Sequence, residues 1–135
     1  MIKIKRNKNK QLARLISCVF EKDNSKINSK FYNTSLKNYE LVSILAYSGN
    51  GDLVGGINGE IVDSVYYLDE IWVKYEFRGL LVGRKMLLFL ENQLKDSGIS
   101  YYYYSHLEEF KDYLQKNSFK CDYVEKQYCA ERKLK

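Results

Sequence analysis

Proline is missing from this chain of 135 residues, and histidine occurs once, as His106. A chain without proline is neither collagen-like nor a proline-rich spacer. Cysteine is sparse as well: Cys18, Cys121 and Cys129 are odd in number and show no CxxC spacing. With a single histidine they offer neither a disulfide framework nor a zinc site, so no metal is expected. No apolar run approaches the roughly 20 residues that a bilayer crossing requires, and no membrane partner is expected. The stretch from Gln11 to Phe20 follows basic residues, as the core of a secretory signal would, but Arg14 interrupts it and no small-residue cleavage site follows. The expectation is a cytoplasmic protein.

Hydrophobic residues make up 45% and charged residues 29%, the balance of a globular domain rather than of a disordered or fibrous chain. One domain spanning 1–135 uses the whole length and leaves no room for a second core. Lys plus Arg number 22 against 17 Asp plus Glu, a net charge of +5. Such a balance attracts nucleic acid, an anionic surface or a phosphorylated cofactor without choosing among them. Much of the excess lies in Lys3, Lys5, Arg6, Lys8 and Lys10, which read as a solvated strand edge and helix start. The tetrad Tyr101 to Tyr104 invites base stacking, but strand alternation sends half of such rings into a core. Nucleic acid is therefore not an expected partner.

Ile2 and Ile4 alternate with lysines as in a half-buried strand. From about Lys8, Leu12, Leu15, Ile16, Val19 and Phe20 recur at helical spacing as one inward stripe. Residues 26 to 38 fit a short helix or a loop equally well. Glu40 to Tyr47 and Leu53 to Glu60 form a hairpin around Ser48–Asp52, and Gly55, Gly56 and Gly59 mark a bulge or close backbone approach in its second strand. Val62 to Tyr75 is β-rich, with a bend at Asp63–Ser64. Then the period changes: a helix from Leu80 to Ser97 presents Gly83, Leu87, Leu90 and Leu94 on one face and stops at Gly98. Ile99 to Tyr104 reads as a strand, Leu107 to Asn117 as a helix with Phe110, Tyr113 and Leu114 inward, and Tyr123 to Leu134 as a final strand or hairpin. This order specifies an α/β fold, a mixed sheet with helices on its faces.

The segment Tyr67 to Val73 runs through Lys74 to Phe77 into Arg78-Gly-Leu-Leu-Val-Gly83 and straight into the helix. Strand, glycine-bearing turn and helix N-terminus together expose backbone N–H groups that favour an anion, with Lys74, Arg78, Arg84 and Lys85 adjacent. Neither a Gly-Lys-Ser/Thr loop nor a GxGxxG fingerprint is present, and tight helix packing alone would also explain Gly79 and Gly83.

Arg78-Gly-Leu-Leu-Val-Gly83 after Ile71-Trp-Val73 resembles the signature of the GNAT superfamily of acetyl-CoA-dependent N-acetyltransferases: Arg or Gln, two residues, Gly, one residue, then Gly or Ala, opening the helix after a strand. The likeness runs from about Leu53 to Phe119. The resemblance implies the GNAT fold, a mixed and mostly antiparallel central sheet flanked by helices on both faces and splayed after its fourth strand. It implies that acetyl-CoA is the co-substrate, with main-chain N–H groups of Leu80, Leu81, Val82, Gly83 and Arg84 on the pyrophosphate, supported by Arg78 and Gly79. Ile71, Trp72 and Val73 would pair with the pantetheine arm, and a nearby amide would polarise the acetyl carbonyl. The implied activity is direct transfer to a primary amine of a small molecule or peptide. Many members of the family dimerise, which makes a homodimer one arrangement to expect. Two positions depart from the pattern: Leu81 stands at the middle glycine, and Leu114 aligns with the tyrosine that often protonates the departing thiolate, with Tyr113 one place earlier. They motivate the alternative of a catalytically weak domain that binds CoA or a partner.

Magnitudes rank the proton transfers. A thiolate with a pKa of about 8.5 gains ~1.5 units, roughly 2 kcal/mol, on protonation at neutral pH. An alkylammonium of pKa about 10.4 must first lose a proton, at ~3.4 units or roughly 4.6 kcal/mol. The base matters more than the acid. The candidates are Glu70 as base and Asp69 as the partner of a cationic acceptor, with Tyr113 as an acid if its helix is shifted by one residue. Adjacent strand residues face opposite ways, so one of the carboxylates reaches the groove unless a bulge intervenes. The competing reading makes both an exposed ion pair with Lys74 or Lys85. His106 and Ser105 form no triad without a third member.

Overall fold

In the computed structural model, which describes residues 1–23, 39–104, 120–124 and 127–134, the N-terminal alternation forms β1 (Lys3–Asn7). Asn9 then caps α1 (Lys10–Asp23): its Oδ1 accepts the N–H groups of Gln11 and Leu12 at 2.9 and 3.3 Å. Within α1, Ile16 is fully buried and Leu12 packs beside it as expected, whereas Leu15 is 47% exposed and Ala13 is fully buried in its stead. The cause is close approach to the sheet. Ala13 is small and its carbonyl accepts a hydrogen bond from β3, which rolls the 13/16 line inward and Leu15 out. Residues 26 to 38 and the helix expected from Leu107 to Asn117 lie outside the described residues.

β2 (Tyr39–Tyr47), β3 (Leu53–Val62) and β4 (Val65–Val73) form the expected antiparallel meander. Asp63 and Ser64 close the β3–β4 turn with φ of 50° and 65°, the positive values that a tight hairpin turn needs. A 3-10 turn (Tyr75–Phe77) leads to α2 (Val82–Asp96), which starts two residues later than the sequence suggests because Leu80 and Leu81 belong to the turn. β5 (Tyr101–Tyr104) omits Ile99, and the C-terminal strands pair as a hairpin, β6 (Lys120–Val124) with β7 (Gln127–Lys133). The sheet order is β1-β2-β3-β4-β5-β7-β6, antiparallel except for the parallel β4–β5 pair.

Consecutive glycines show how the layers stack. A Cβ at Gly55 would lie 3.0 Å from Met86 of α2, and one at Gly56 would lie 2.6 Å from Ile16 of α1. The helices therefore cover opposite faces, and α1 sits so low that only glycine fits beneath Ile16. The larger core lies under α2, where Val82, Met86, Leu87, Leu90 and Leu94 meet Val42, Ile44, Ile57, Tyr66 and Leu68. Tyr102 and Tyr104 join it, as expected for half of the tetrad.

Candidate active site

The site is assembled where β4 changes phase. Asn58 pairs with Glu70 and Gly59 with Leu68, so Asp69 is an extra residue and forms a β-bulge. Before it, Tyr66 and Leu68 face α2; after it, Ile71 and Val73 do. Glu70 and Trp72 are thereby turned toward α1, where Trp72 packs with Ile16 and Leu45. Under strict alternation Glu70 would share the apolar face with Leu68. The bulge also explains Gly59. The Tyr66 side chain crosses over it to donate to the Val42 carbonyl at 3.0 Å, and a Cβ on Gly59 would lie 2.1 Å from the Tyr66 hydroxyl.

On the α1 face a polar row crosses four strands in register, Asn7 opposite Ser43, Ser43 opposite Asn58, and Asn58 opposite Glu70. Asn7 Nδ2 donates to Ser43 Oγ (3.2 Å), Ser43 Oγ donates to Asn58 Oδ1 (2.9 Å), and Asn58 Nδ2 donates to Glu70 Oε2 (2.9 Å) and to the Ala13 carbonyl (2.6 Å). All four residues are buried, Glu70 completely. Asp69 is buried beside it, while Lys74 and Lys85 are exposed, so the reading of the two carboxylates as an exposed surface pair is corrected. Burial, then the charge of Asp69, pushes the Glu60 carboxyl above its usual range. Tyr66 is raised well above the ordinary phenol value by burial first, then by Tyr102, Asp69 and Glu70 against an opposing effect of Arg6, which keeps it protonated as a donor. Tyr67 and Tyr103 stack on each other, ring centroids 5.9 Å apart.

The β4–β5 ladder comprises Tyr66–Tyr102, Tyr67–Tyr103 and Leu68–Tyr104, and β4 continues from its last pair to Val73. Ile71 and Trp72 are buried and Val73 half-buried, so their side chains anchor the strand on both helix layers. Arg78 Nε donates to the Val73 carbonyl at 2.8 Å, folding the turn back on the strand. Gly79 and Leu81 then take positive φ, 81° and 64°. Leu81 is the N-cap of α2 in the left-handed region and supplies no side-chain cap. Its side chain is 62% exposed. Lys85 N–H bonds to the Leu81 carbonyl, so the N–H groups of Val82, Gly83 and Arg84 lie ahead of that helical bond, at the mouth of α2. Arg84 is exposed there.

Asp69, Glu70 and Ile71 to Val73 therefore lie on one strand that leads directly into Arg78 to Arg84. Tyr113 lies outside the described residues, as do Leu114, Ser105 and His106. Sequence reasoning missed Asn58, Ser43 and Asn7. Their signal was a polar residue at an inward strand position in each case, together with the switch of apolar residues from even numbers (Tyr66, Leu68) to odd ones (Ile71, Val73).

A model of the acetyltransferase (GNAT) family matches residues 9–116. No curated relative matches the chain in sequence. Among solved structures, the chain is similar to an acetyltransferase of the GNAT family from Staphylococcus aureus Mu50, at 18% identity and TM-score 0.76 with 100% of both chains covered. It is similar to the PaiA N-acetyltransferase from Thermoplasma acidophilum in complex with coenzyme A, at 19% identity and TM-score 0.74, covering 98% of this chain and 99% of that one. An aminoglycoside 6′-N-acetyltransferase complexed with coenzyme A is similar at 13% identity and TM-score 0.70, covering 100% and 97%. These likenesses carry the fold, and the match over residues 9–116 carries the family: this chain, with its bulged fourth strand and glycine-bearing turn into α2, belongs to the GNAT acetyltransferases.

Proposed function

We propose that the protein transfers the acetyl group of acetyl-CoA to a primary amine by direct attack, without a covalent enzyme intermediate. The observation that carries this reading is Leu81, an exposed leucine held in a glycine conformation at the N-cap of α2. A left-handed leucine costs roughly 1–2 kcal/mol, and no side-chain cap bond is gained in return. Strain of this kind is kept where the backbone has a task. Here the task is to open α2 with the N–H groups of Val82, Gly83 and Arg84 ahead of its first helical bond, at the positive end of the helix dipole, a donor set suited to a diphosphate. Arg84 beside them adds positive charge.

Acetyl-CoA, when bound, supplies the thioester. The rest falls to the chain. The backbone of Ile71 to Val73 lines the thioester arm, and a β4 amide near the Asp69 bulge polarises the acetyl carbonyl as a fixed donor for the developing oxyanion. Glu70 takes the proton from the acceptor's ammonium, directly or through water, and Asp69 attracts the cationic acceptor. The test is acetyl-CoA titration by calorimetry followed by thiol release across a panel of primary amines. Binding and turnover with at least one amine are expected. No heat of binding at millimolar acetyl-CoA overturns the reading.

A further inference from the structure

The polar row on the α1 face points in one direction. Each donor in it faces toward Glu70, from Asn7 through Ser43 and Asn58. That sense is pinned at both ends. Asn58 Nδ2 also meets the Ala13 carbonyl, which can only accept, and Asn7 Oδ1 receives the Asn9 N–H at 2.9 Å, which can only donate. Neither amide can be turned over without setting like against like.

We propose that Asn58 is a positioning residue for Glu70: its amide, clamped by the Ser43 hydroxyl and by the α1 carbonyl of Ala13, fixes the plane of the carboxylate that takes the acceptor's proton. The clamp is geometric, whereas the proton-transfer role rests on the acetyl-transfer reading. A glutamate side chain has several rotamers to lose, and burial by itself does not select one. A donor already held by two other groups does so with no rearrangement at the moment of reaction. The same amide ties the carboxylate to α1, so the docking of that helix and the orientation of the base are one contact.

Among the described residues, Asp69 adjoins Glu70 on β4, Tyr66 of the same strand interacts electrostatically with both carboxylates and with Arg6 of β1, and Glu60 on β3 interacts with Asp69. From α1 the ionisable neighbour of Ala13 is Arg14, which is exposed, while β1 and β2 bring the uncharged Asn7 and Ser43 to this row.

Two readouts separate positioning from scaffolding. Asn58→Ala is expected to lower kcat roughly tenfold to a hundredfold, the equivalent of one charge-assisted hydrogen bond, with KM for acetyl-CoA unchanged. Asn58→Asp sets a second carboxyl against Glu70, so the pair shares a proton and the acidic limb of the kcat profile moves up by about one pH unit or more. Ser43→Ala, which leaves both Asn58 Nδ2 bonds in place, is expected to cost a few-fold in kcat. An arm that needs no acceptor follows the 13C-carboxyl resonance of Glu70 in glutamate-labelled protein, assigned by its loss in Glu70→Gln. Its titration midpoint should move in Asn58→Asp. The proposal is overturned if that midpoint is unmoved, or if the Asn58 variants lose activity equally at every pH in step with a fall in melting temperature. A moved midpoint combined with wild-type turnover in Glu70→Gln overturns the catalytic half and faults the choice of base rather than the contact.

Discussion

On the face beneath α2, Val42, Ile44, Ile57, Tyr66 and Leu68 meet an apolar helix stripe, whereas beneath α1 the same strands present Asn7, Ser43, Asn58 and Glu70 beside a small cluster of Ile16, Leu45 and Trp72. The two faces differ in what burial accomplishes. Under α2 it removes hydrocarbon from water, the dominant favourable term in folding. Under α1 it dehydrates a carboxylate and its donors, which costs stability unless every bond is made and yields a fixed orientation when they are. Alternation lets one strand serve both purposes, and the bulge at Asp69 decides which side receives Glu70.

The largest effect that would sharpen this contrast is on turnover. Glu70→Gln keeps the shape and removes the base, so kcat at neutral pH should fall by about 10²–10⁴, the range of general base catalysis. The melting temperature should hold or rise, because a neutral amide is cheaper to bury than a carboxylate. Thiol-release kinetics and a thermal melt on the same preparation check both halves. A protein that unfolds while the folded fraction stays active would erase the distinction between the faces.

The mirror experiment is Leu90→Ala. Leu90 is fully buried under α2, so the change should cost about 2–5 kcal/mol in a urea titration. The acidic limb of the pH profile and KM for acetyl-CoA should not move in the protein that remains folded. A displaced pH limb would mean that the apolar face also sets the chemistry.

Much of the fold was legible because it rests on periodicity. The alternation of β1, the meander, the stripe Leu87, Leu90, Leu94 and the bend at Asp63–Ser64 each depend on local chemistry, and each is present. Legibility failed where two elements touch. Leu15 reads as inward until Gly56 and Ala13 draw α1 down onto the sheet. The glycines of β3 announced a bulge or a close approach without saying which; Gly56 accommodates Ile16, and Gly59 accommodates Tyr66 at the bulge. Asn58 is one polar residue between Ile57 and Gly59 in the sequence, and it acquires meaning only when register aligns it with Ser43 and Glu70. The turn residues from Arg78 to Arg84 were legible as a motif. The angle at Leu81 was not, because a leucine gives no warning of positive φ.

That angle supports a smaller prediction, at the end of α2 that leaves the apolar face. Leu81→Gly relieves left-handed strain of roughly 1–2 kcal/mol and returns part of it as chain entropy in the unfolded state, for a net gain of up to about 1 kcal/mol. Acetyl-CoA affinity by calorimetry should be retained or improved. A loss of both stability and affinity would show that the exposed Leu81 side chain itself makes a contact that matters.

The smallest effect probes the rim of the polar face. Glu60 has its pKa raised above 4.5 by burial and then by Asp69. The folded protein therefore binds this proton more tightly than the unfolded chain does. The resulting stability is fully present below the unfolded value and is lost as pH rises through the folded one. Glu60→Gln resembles the protonated form at every pH. Its melting temperature should match wild type near pH 4 and exceed it slightly near pH 7, a difference damped by the partial exposure of the side chain. Because Asp69 is the second cause, Asp69→Asn should recover part of that difference without touching Glu60. A gap between Glu60→Gln and wild type that is constant from about pH 4 to 7 would detach Glu60 from the carboxylates of β4 and confine the polar face to the row that ends at Glu70.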